Sequence, residues 1–112
     1  MIYKLLPTAD WRAAEAAGVY RGSGDDLRDG FIHFSAADQV VATAERIFAG
    51  QKGLTMLSVD PDALGDALRW EVSRGGALFP HLYGPLPLRA VVAVVSLRDD
   101  IPVAAAVASA LP

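Results

Sequence analysis

The chain has 112 residues, of which 53% are hydrophobic and 21% charged, with a formal net charge of −3 and no cysteine. This length fits one domain, and the apolar fraction excludes a disordered chain. The absence of cysteine excludes disulfides, thiolate catalysis and cysteine-ligated zinc, and the negative charge argues against a nucleic-acid-binding surface. No apolar run is long enough for a membrane helix and the N-terminus shows no signal-peptide pattern, so a cytoplasmic protein is predicted.

Three segments are predicted before the first histidine of the chain. Residues 2–6 predict a strand that Pro7 ends, and residues 11–17 predict a helix that ends at Gly18. The polar, glycine-rich stretch 20–30 predicts a mobile surface loop.

The stretch DGFIHFS, residues 29–35, predicts a short strand of bulky apolar residues with a histidine in its middle. An acid three residues after Ser35 has the spacing of a capping box, so a second helix is predicted to follow. Because successive side chains of a strand point to opposite faces, Ile32 and Phe34 are expected in the core and His33 on the opposite face.

Strands are also predicted over residues 54–59 and 68–73, and over the apolar run 89–97, which is expected to be a central strand covered on both faces. The aromatic, irregular segment 74–87 predicts a functional loop or lid.

Together these elements predict an α+β fold for one domain, residues 1–99. A single twisted, mostly antiparallel sheet is expected to carry two helices from the first half of the chain. The alanine-rich tail, residues 100–112, is expected to be a frayed helix or disordered.

Two polar strand faces predict a candidate catalytic pair. Arg69, Glu71 and Ser73 share one face of their strand. If this strand neighbours the histidine strand, Glu71 and His33 meet in one cleft, where the carboxylate fixes the tautomer of the imidazole for acid–base work or hydroxyl binding. The alternatives are a structural histidine and a solvated strand face. Ser35 has the alternative of a helix cap, although a helix N-terminus also attracts anions.

The segment 79–84 is the second candidate site. Phe79, His81 and Tyr83 combine aromatic surface with an imidazole and a phenol. Such a segment stacks a planar ring and donates a hydrogen bond to it, or alternatively pins a long loop as a small hydrophobic cluster. The glycine pairs match no phosphate-binding loop and the acidic residues match no calcium loop, so no metal site is predicted.

Several of these segments point to a known family. IYKLL, DGFIHFS and LRWEVSRGGALFPHLYGPLP, together with Trp11 and the apolar last strand, closely resemble the uncharacterised bacterial family known as domain of unknown function 952. The resemblance covers residues 2–97, nearly the whole domain. It implies no function, because the family has no established activity.

A more distant resemblance concerns the order of strand, glycine-stopped helix, polar loop and FIHFS. This order is similar to the front half of the ADP-ribosyltransferase fold, especially in the RNA 2′-phosphotransferases, which use NAD to remove a phosphate. The resemblance implies that His33 contacts the cofactor or a phosphate, with Ser35 beside it, and that Glu71 is the late acidic residue of that fold. The first strand, however, lacks the histidine that binds the nicotinamide ribose there. The candidates by residue type for phosphate-gripping arginines are Arg21, Arg28, Arg69 and Arg74.

Two functions therefore stand open. The first is an NAD-dependent transferase, or a degenerate relative, with His33 and Glu71 as catalytic residues. Its ligand-binding residues are Ser35, Arg69, Ser73, Phe79, His81 and Tyr83. The second is a non-catalytic module whose cleft binds a small metabolite, a nucleotide or a peptide. NAD is the candidate cofactor and a small molecule the expected partner; neither a membrane nor nucleic acid is expected, and the oligomeric state is open.

Overall fold

The computed structural model describes residues 1–112, and nine strands and four α-helices build the fold. The strands are β1 Ile2–Pro7, β2 Val19–Tyr20, β3 Ile32–His33, β4 Ser35–Ala36, β5 Leu54–Val59, β6 Leu68–Val72, β7 Leu78–Leu82, β8 Leu86–Pro87 and β9 Val91–Ser96. The helices are α1 Thr8–Ala17, α2 Asp25–Asp29, α3 Val40–Ile47 and α4 Val103–Ala110. Short 3₁₀ segments occupy Pro61–Ala67, Arg74–Gly76 and Leu88–Ala90.

Every strand pair is antiparallel, which confirms the predicted α+β class. The strands form three sheets, in the orders β4-β1-β5-β9, β3-β7-β6 and β2-β8, where a single sheet was expected. The segment around His33, predicted as one strand, explains the division into sheets. Its first half, β3, pairs with β7 and its second half, β4, pairs with β1. The break between them falls at Phe34, whose N–H donates to the carbonyl of Pro80 at 3.0 Å.

Two hydrophobic cores lie on opposite faces of the four-stranded sheet. Alternation along β1 sends Ile2 and Leu6 into the first core, and Tyr3 and Leu5 into the second. The first core also receives α1 and the inner face of the β3-β7-β6 sheet, while the second is covered by α3 and α4. No helix has the length and apolar character that crossing a bilayer requires.

The capping prediction for Ser35 is wrong. Helix α3 begins at Val40, and its N-cap residue Gln39 makes no side-chain capping bond. Ser35 lies in β4 opposite Tyr3, and its hydroxyl contacts Oγ1 of Thr43 at 2.8 Å. Because the backbone of Ser35 is engaged in the sheet, the residue is too far from the helix start to cap it.

The second half of the chain also differs from the predictions. The supposed loop 74–87 contains β7, the central strand of its sheet, because Pro80 removes only one donor from a ladder that is otherwise intact. The supposed central strand 89–97 is the edge strand β9, with Val92 and Val94 exposed. The alanine-rich tail forms α4, a packed helix that buries Val107 completely.

Candidate functional site

One face of the β3-β7-β6 sheet collects most of the predicted site residues. His33 lies directly opposite His81, and His81 lies opposite Arg69 on the next strand. Glu71 pairs with Phe79 in the same ladder. Directly paired residues, and residues two apart on one strand, point to the same side of a sheet, so all five side chains share this face.

His81 is buried and held in one orientation. Its Nδ1 lies 2.9 Å from Oε1 of Glu71, and the hydroxyl of Tyr83 donates to the same oxygen at 2.7 Å. A proton on Nδ1 leaves Nε2 as the acceptor nitrogen. No buried side-chain nitrogen or oxygen lacks a partner in the structure, and Nε2 makes no hydrogen bond. Nε2 is therefore not fully buried, and His81 is one of the residues that line a cavity beside the sheet.

The hydrogen bonds at Glu71 shift the pKa values of Glu71 and of Tyr83. The donated bond from Tyr83, followed by the contact with His81, lowers the pKa of Glu71 below its usual value. The same bond raises the pKa of the Tyr83 phenol. The guanidinium carbon of Arg69 lies 5.1 Å from the centre of the Tyr83 ring, which places a cation over the outer side of this cluster.

His33 contacts two carboxylates, neither of them Glu71. Its Nδ1 lies 2.7 Å from Oδ1 of Asp26, and its Nε2 lies 3.0 Å from Oδ2 of Asp29. Both hydrogen bonds form together only when the imidazole carries both of its protons. The predicted direct meeting of His33 and Glu71 does not occur, because β7 lies between their strands and supplies His81 as the histidine that Glu71 contacts.

Asp26, which was not among the predicted site residues, is the most heavily bonded residue of the site. It is buried within α2, in the segment expected to be a mobile loop. It accepts from Nζ of Lys4 at 2.9 and 2.8 Å, from the hydroxyl of Tyr20 at 3.2 Å, and from the backbone N–H groups of Ser23 and His33. Asp26 thereby ties β1, α2 and β3 together.

The pKa values of this buried ion pair reflect two opposing effects. Burial by itself raises the pKa of Asp26, but the hydrogen bonds from His33 and the charge and hydrogen bond of Lys4 outweigh it and hold the pKa well below the usual range. Burial lowers the pKa of Lys4, and Asp26 opposes that change. The Lys4 ammonium and the Asp26 carboxylate therefore both stay charged because each lies next to the opposite charge.

The ring of Phe31 joins the two histidine clusters. It stacks on His81 with the ring centres 4.1 Å apart, and its centre lies 4.6 Å from that of His33 and 5.2 Å from that of Tyr83. The two imidazoles meet edge to face at 5.6 Å. These contacts fix the ring planes without using the remaining polar atoms.

A cavity of about 470 Å³ lies against this sheet face, within the size range of small-molecule sites. Of the predicted site residues, those that line it are His33, Ser35, Ser73, Phe79 and His81. The others, Arg69, Glu71 and Tyr83, do not line the cavity. Glu71 contacts the lining residue His81, Tyr83 contacts Glu71, and Arg69 lies over the Tyr83 ring. The structure contains no cluster of three or more His, Asp or Glu side chains suited to a metal ion.

Comparison with known proteins identifies the family. The family model for a protein of unknown function, DUF952, matches residues 5–94. The crystal structure of protein CC0527 from Caulobacter crescentus is 49% identical, with a TM-score of 0.85 over 90% of this chain and 91% of that one. Its solution NMR structure is 48% identical, with a TM-score of 0.79 over 91% and 90%. No protein of curated function matches significantly. None of these matches assigns an activity, and the ADP-ribosyltransferase resemblance stays a prediction. The chain belongs to the DUF952 family of proteins of unknown function.

Proposed function

We propose that the cavity binds a nucleotide-like small molecule of the NAD class, and that His81 is the residue that accepts a proton from it. The observation that carries the proposal is the buried imidazole of His81, which lines the cavity with Nδ1 held by Glu71 and Nε2 left without a hydrogen bond. A carboxylate on one ring nitrogen orients the imidazole and stabilises it when the other nitrogen takes up a proton. Such an arrangement suits contact with a ligand hydroxyl.

The composition of the cavity wall supports a nucleotide-like ligand. Phe79 offers an aromatic surface, and the hydroxyls of Ser35 and Thr43 offer polar contacts. Small-molecule sites combine apolar and aromatic walls with a few well-placed polar groups in this way. The resemblance of the first half of the chain to the ADP-ribosyltransferase fold favours NAD within this ligand class.

If the protein is a transferase, the proton balance assigns the roles. The bond between nicotinamide and ribose breaks and its electron pair leaves with nicotinamide. An acceptor hydroxyl oxygen then bonds to the ribose carbon, and its proton passes to Nε2 of His81. Glu71 is a positioning residue in this scheme, because it contacts His81 and does not line the cavity. His33 shapes the wall through its bonds to Asp26 and Asp29.

A non-catalytic binding module is the second candidate function. One observation favours it: both ring nitrogens of His33 are occupied by carboxylates, and Glu71 has no direct access to the cavity. Neither of the two residues predicted to be catalytic therefore presents a free reactive atom to a ligand.

A thermal-shift titration with NAD, ADP-ribose and nicotinamide tests the proposal. A ligand at about 100 times its Kd stabilises the folded state by about 2.7 kcal/mol, which is a readily measured rise in Tm. The rise should be lost in His81→Gln and retained in Arg12→Ala, an exposed residue outside the cavity. Each variant is compared with its own ligand-free Tm.

The outcomes separate the candidate functions. Binding with nicotinamide release supports the transferase, and binding without release supports the module. No shift with any of the three compounds, or an undiminished shift in His81→Gln, contradicts the proposed function.

A further inference from the structure

We infer that Arg74, together with the hydroxyls of Thr43 and Ser35, forms the end of the cavity that receives a phosphoryl group of the ligand. The inference rests on the proposed function and deepens it, because it fixes which end of a nucleotide lies where. It also makes a phosphate a requirement for tight binding.

The cations of the cavity wall differ in their partners. Three cationic side chains line the cavity: Lys4, Arg28 and Arg74. Lys4 is paired with Asp26 at 2.8 Å, and Arg28 is paired with two acids of its own helix. Arg74 makes no ion pair. It is therefore the lining cation whose charge is free to pair with a ligand.

The charges of the wall are also distributed unevenly. All four lining carboxylates, Asp10, Asp25, Asp26 and Asp29, belong to α1 and α2. Arg74 instead follows β6, and the one charge that shifts its pKa is that of another cation, Arg46. Partial burial, followed by Arg46, lowers the pKa of Arg74. An anion placed beside Arg74 relieves the repulsion between these two guanidinium groups.

Arg74 is held in place by contacts that leave most of its donors unused. Its guanidinium carbon lies 5.1 Å from the centre of the Phe79 ring, and Nη2 donates to Oγ1 of Thr43 at 3.3 Å. A guanidinium has five N–H donors, and this is the only hydrogen bond that the guanidinium of Arg74 makes. The planar fork therefore retains the donors that bidentate binding of an oxyanion needs.

Two hydroxyls extend this donor group. Oγ1 of Thr43 lies 2.8 Å from Oγ of Ser35, which is only 4% exposed. Since Thr43 accepts from Arg74, its own proton is available to Ser35 or to a ligand, and rotation of either hydroxyl directs a proton into the cavity. A terminal phosphate carries three non-bridging oxygens and the diphosphate of an NAD-class ligand carries four, and either set matches a guanidinium fork and two hydroxyls better than the two oxygens of a carboxylate.

The backbone after Arg74 turns sharply. Gly75 and Gly76 have φ angles of 67° and 78°, in the left-handed region that residues with a side chain rarely adopt. They close the 3₁₀ turn that leads from Arg74 to β7. The position of the guanidinium itself comes from its contacts with Phe79 and Thr43.

Isothermal titration with matched compounds tests the inference. The pairs are AMP with adenosine, and nicotinamide mononucleotide with nicotinamide riboside, each differing by one phosphate. We expect the phosphorylated compound to bind about 10- to 100-fold more tightly, the ratio given by charge-assisted hydrogen bonds to one group. This preference should weaken with added salt.

Three variants locate the effect. Arg74→Gln should reduce the preference for phosphate to less than about threefold, and Arg74→Lys, which keeps the charge but not the fork, should give an intermediate ratio. Arg12→Gln is the matched control, because Arg12 is an exposed arginine outside the cavity wall and away from Arg74. It should keep most of the preference. If Arg74→Gln does not fold, the ratio of nucleotide to nucleoside affinity in Arg74→Lys tests the inference by itself.

The result distinguishes this inference from the proposed function. Equal binding of nucleoside and nucleotide, or a preference unchanged in Arg74→Gln and Arg74→Lys, overturns the phosphate site. In that case binding that still depends on His81 leaves the proposed function standing. No binding of any of the four compounds, with NAD and ADP-ribose also inactive, overturns both.

Discussion

The substitution Asp26→Asn removes one charge from the buried ion pair between β1 and α2. Lys4 is 8% exposed and Asp26 is 4% exposed, so little water reaches the pair to take the place of the lost carboxylate. The Lys4 ammonium is then left buried with a neutral neighbour. The bonds to His33 and to the N–H of Ser23 also weaken, because an amide oxygen is a poorer acceptor than a carboxylate.

The expected cost follows from these contacts. Breaking a buried ion pair by removing one partner costs about 3–5 kcal/mol, because an uncompensated charge stays inside. A domain is stable by about 5–15 kcal/mol, so Asp26→Asn should remove about a fifth or more of the free energy of unfolding. The Tm should fall by roughly 12–20 °C for a chain of this size.

Urea unfolding followed by circular dichroism measures this cost. Asp25→Asn is the matched control: its side chain is 60% exposed and pairs with Arg28 at the surface, so a change below about 0.5 kcal/mol is expected. In Lys4→Met/Asp26→Asn the stranded ammonium is gone, so part of the stability should return. A cost below about 1 kcal/mol for Asp26→Asn, or one equal to that of Asp25→Asn, refutes the reasoning.

Three further predictions concern pH, packing and ionisation. Since the folded-state pKa of Asp26 lies below its unfolded value of about 3.9, its contribution is complete above that pH and is lost as the pH falls further. Urea unfolding at about pH 6 and pH 3 should show a larger acid-induced loss in the wild type than in Asp26→Asn, and equal losses contradict this. Val107→Ala should lower the free energy of unfolding by about 2 kcal/mol, because two methyl groups are lost and a cavity is left behind. Ala108→Ser, at the surface of the same helix, should lower it by less than about 0.5 kcal/mol. Similar costs for the two variants in chemical unfolding contradict the packing of α4. Tyr83→Phe should raise the pKa of Glu71, because the main hydrogen bond that favours the carboxylate is lost, and an unchanged midpoint in a carboxyl ¹³C NMR titration argues against this contact.

Local pattern was sufficient to place several site residues on the correct face. Alternation along the histidine strand predicted that Ile32 and Phe34 are buried and that His33 faces the other side, as the structure shows. The same rule assigned Glu71 to a polar face. These predictions succeed because side-chain direction in a strand depends only on the period of the backbone.

The contacts between elements were not predictable in the same way. Glu71 meets His81 and not His33 because of the order β3-β7-β6, and Pro80 made β7 look like a loop. The burial of Asp26 had one signal in the sequence: Lys4 interrupts an otherwise apolar first strand, and a buried lysine needs a buried acid. Which acid it meets depends on the tertiary fold, since Asp26 is 22 residues away.

The position of the last strand shows a related limit. An almost entirely apolar strand was expected at the centre of a sheet, but β9 pairs with β5 alone and leaves Val92 and Val94 exposed. Residue composition reports the hydrophobicity of a strand, whereas its place in a sheet depends on how many neighbours reach it. The order of the C-terminal tail was underestimated, because its small alanine side chains do not indicate how closely α4 packs on α3.

The most direct measurement is an NMR titration of the imidazole nitrogens of His81 with NAD and with ADP-ribose. We expect Nδ1 to carry the proton in the free protein, and the Nε2 resonance to shift in a dose-dependent way as ligand binds. Glu71→Gln should weaken the preference for a proton on Nδ1. A proton found on Nε2 in the free protein, or a His81 ring whose resonances ignore both ligands, contradicts the claim that this histidine faces a ligand-binding cavity.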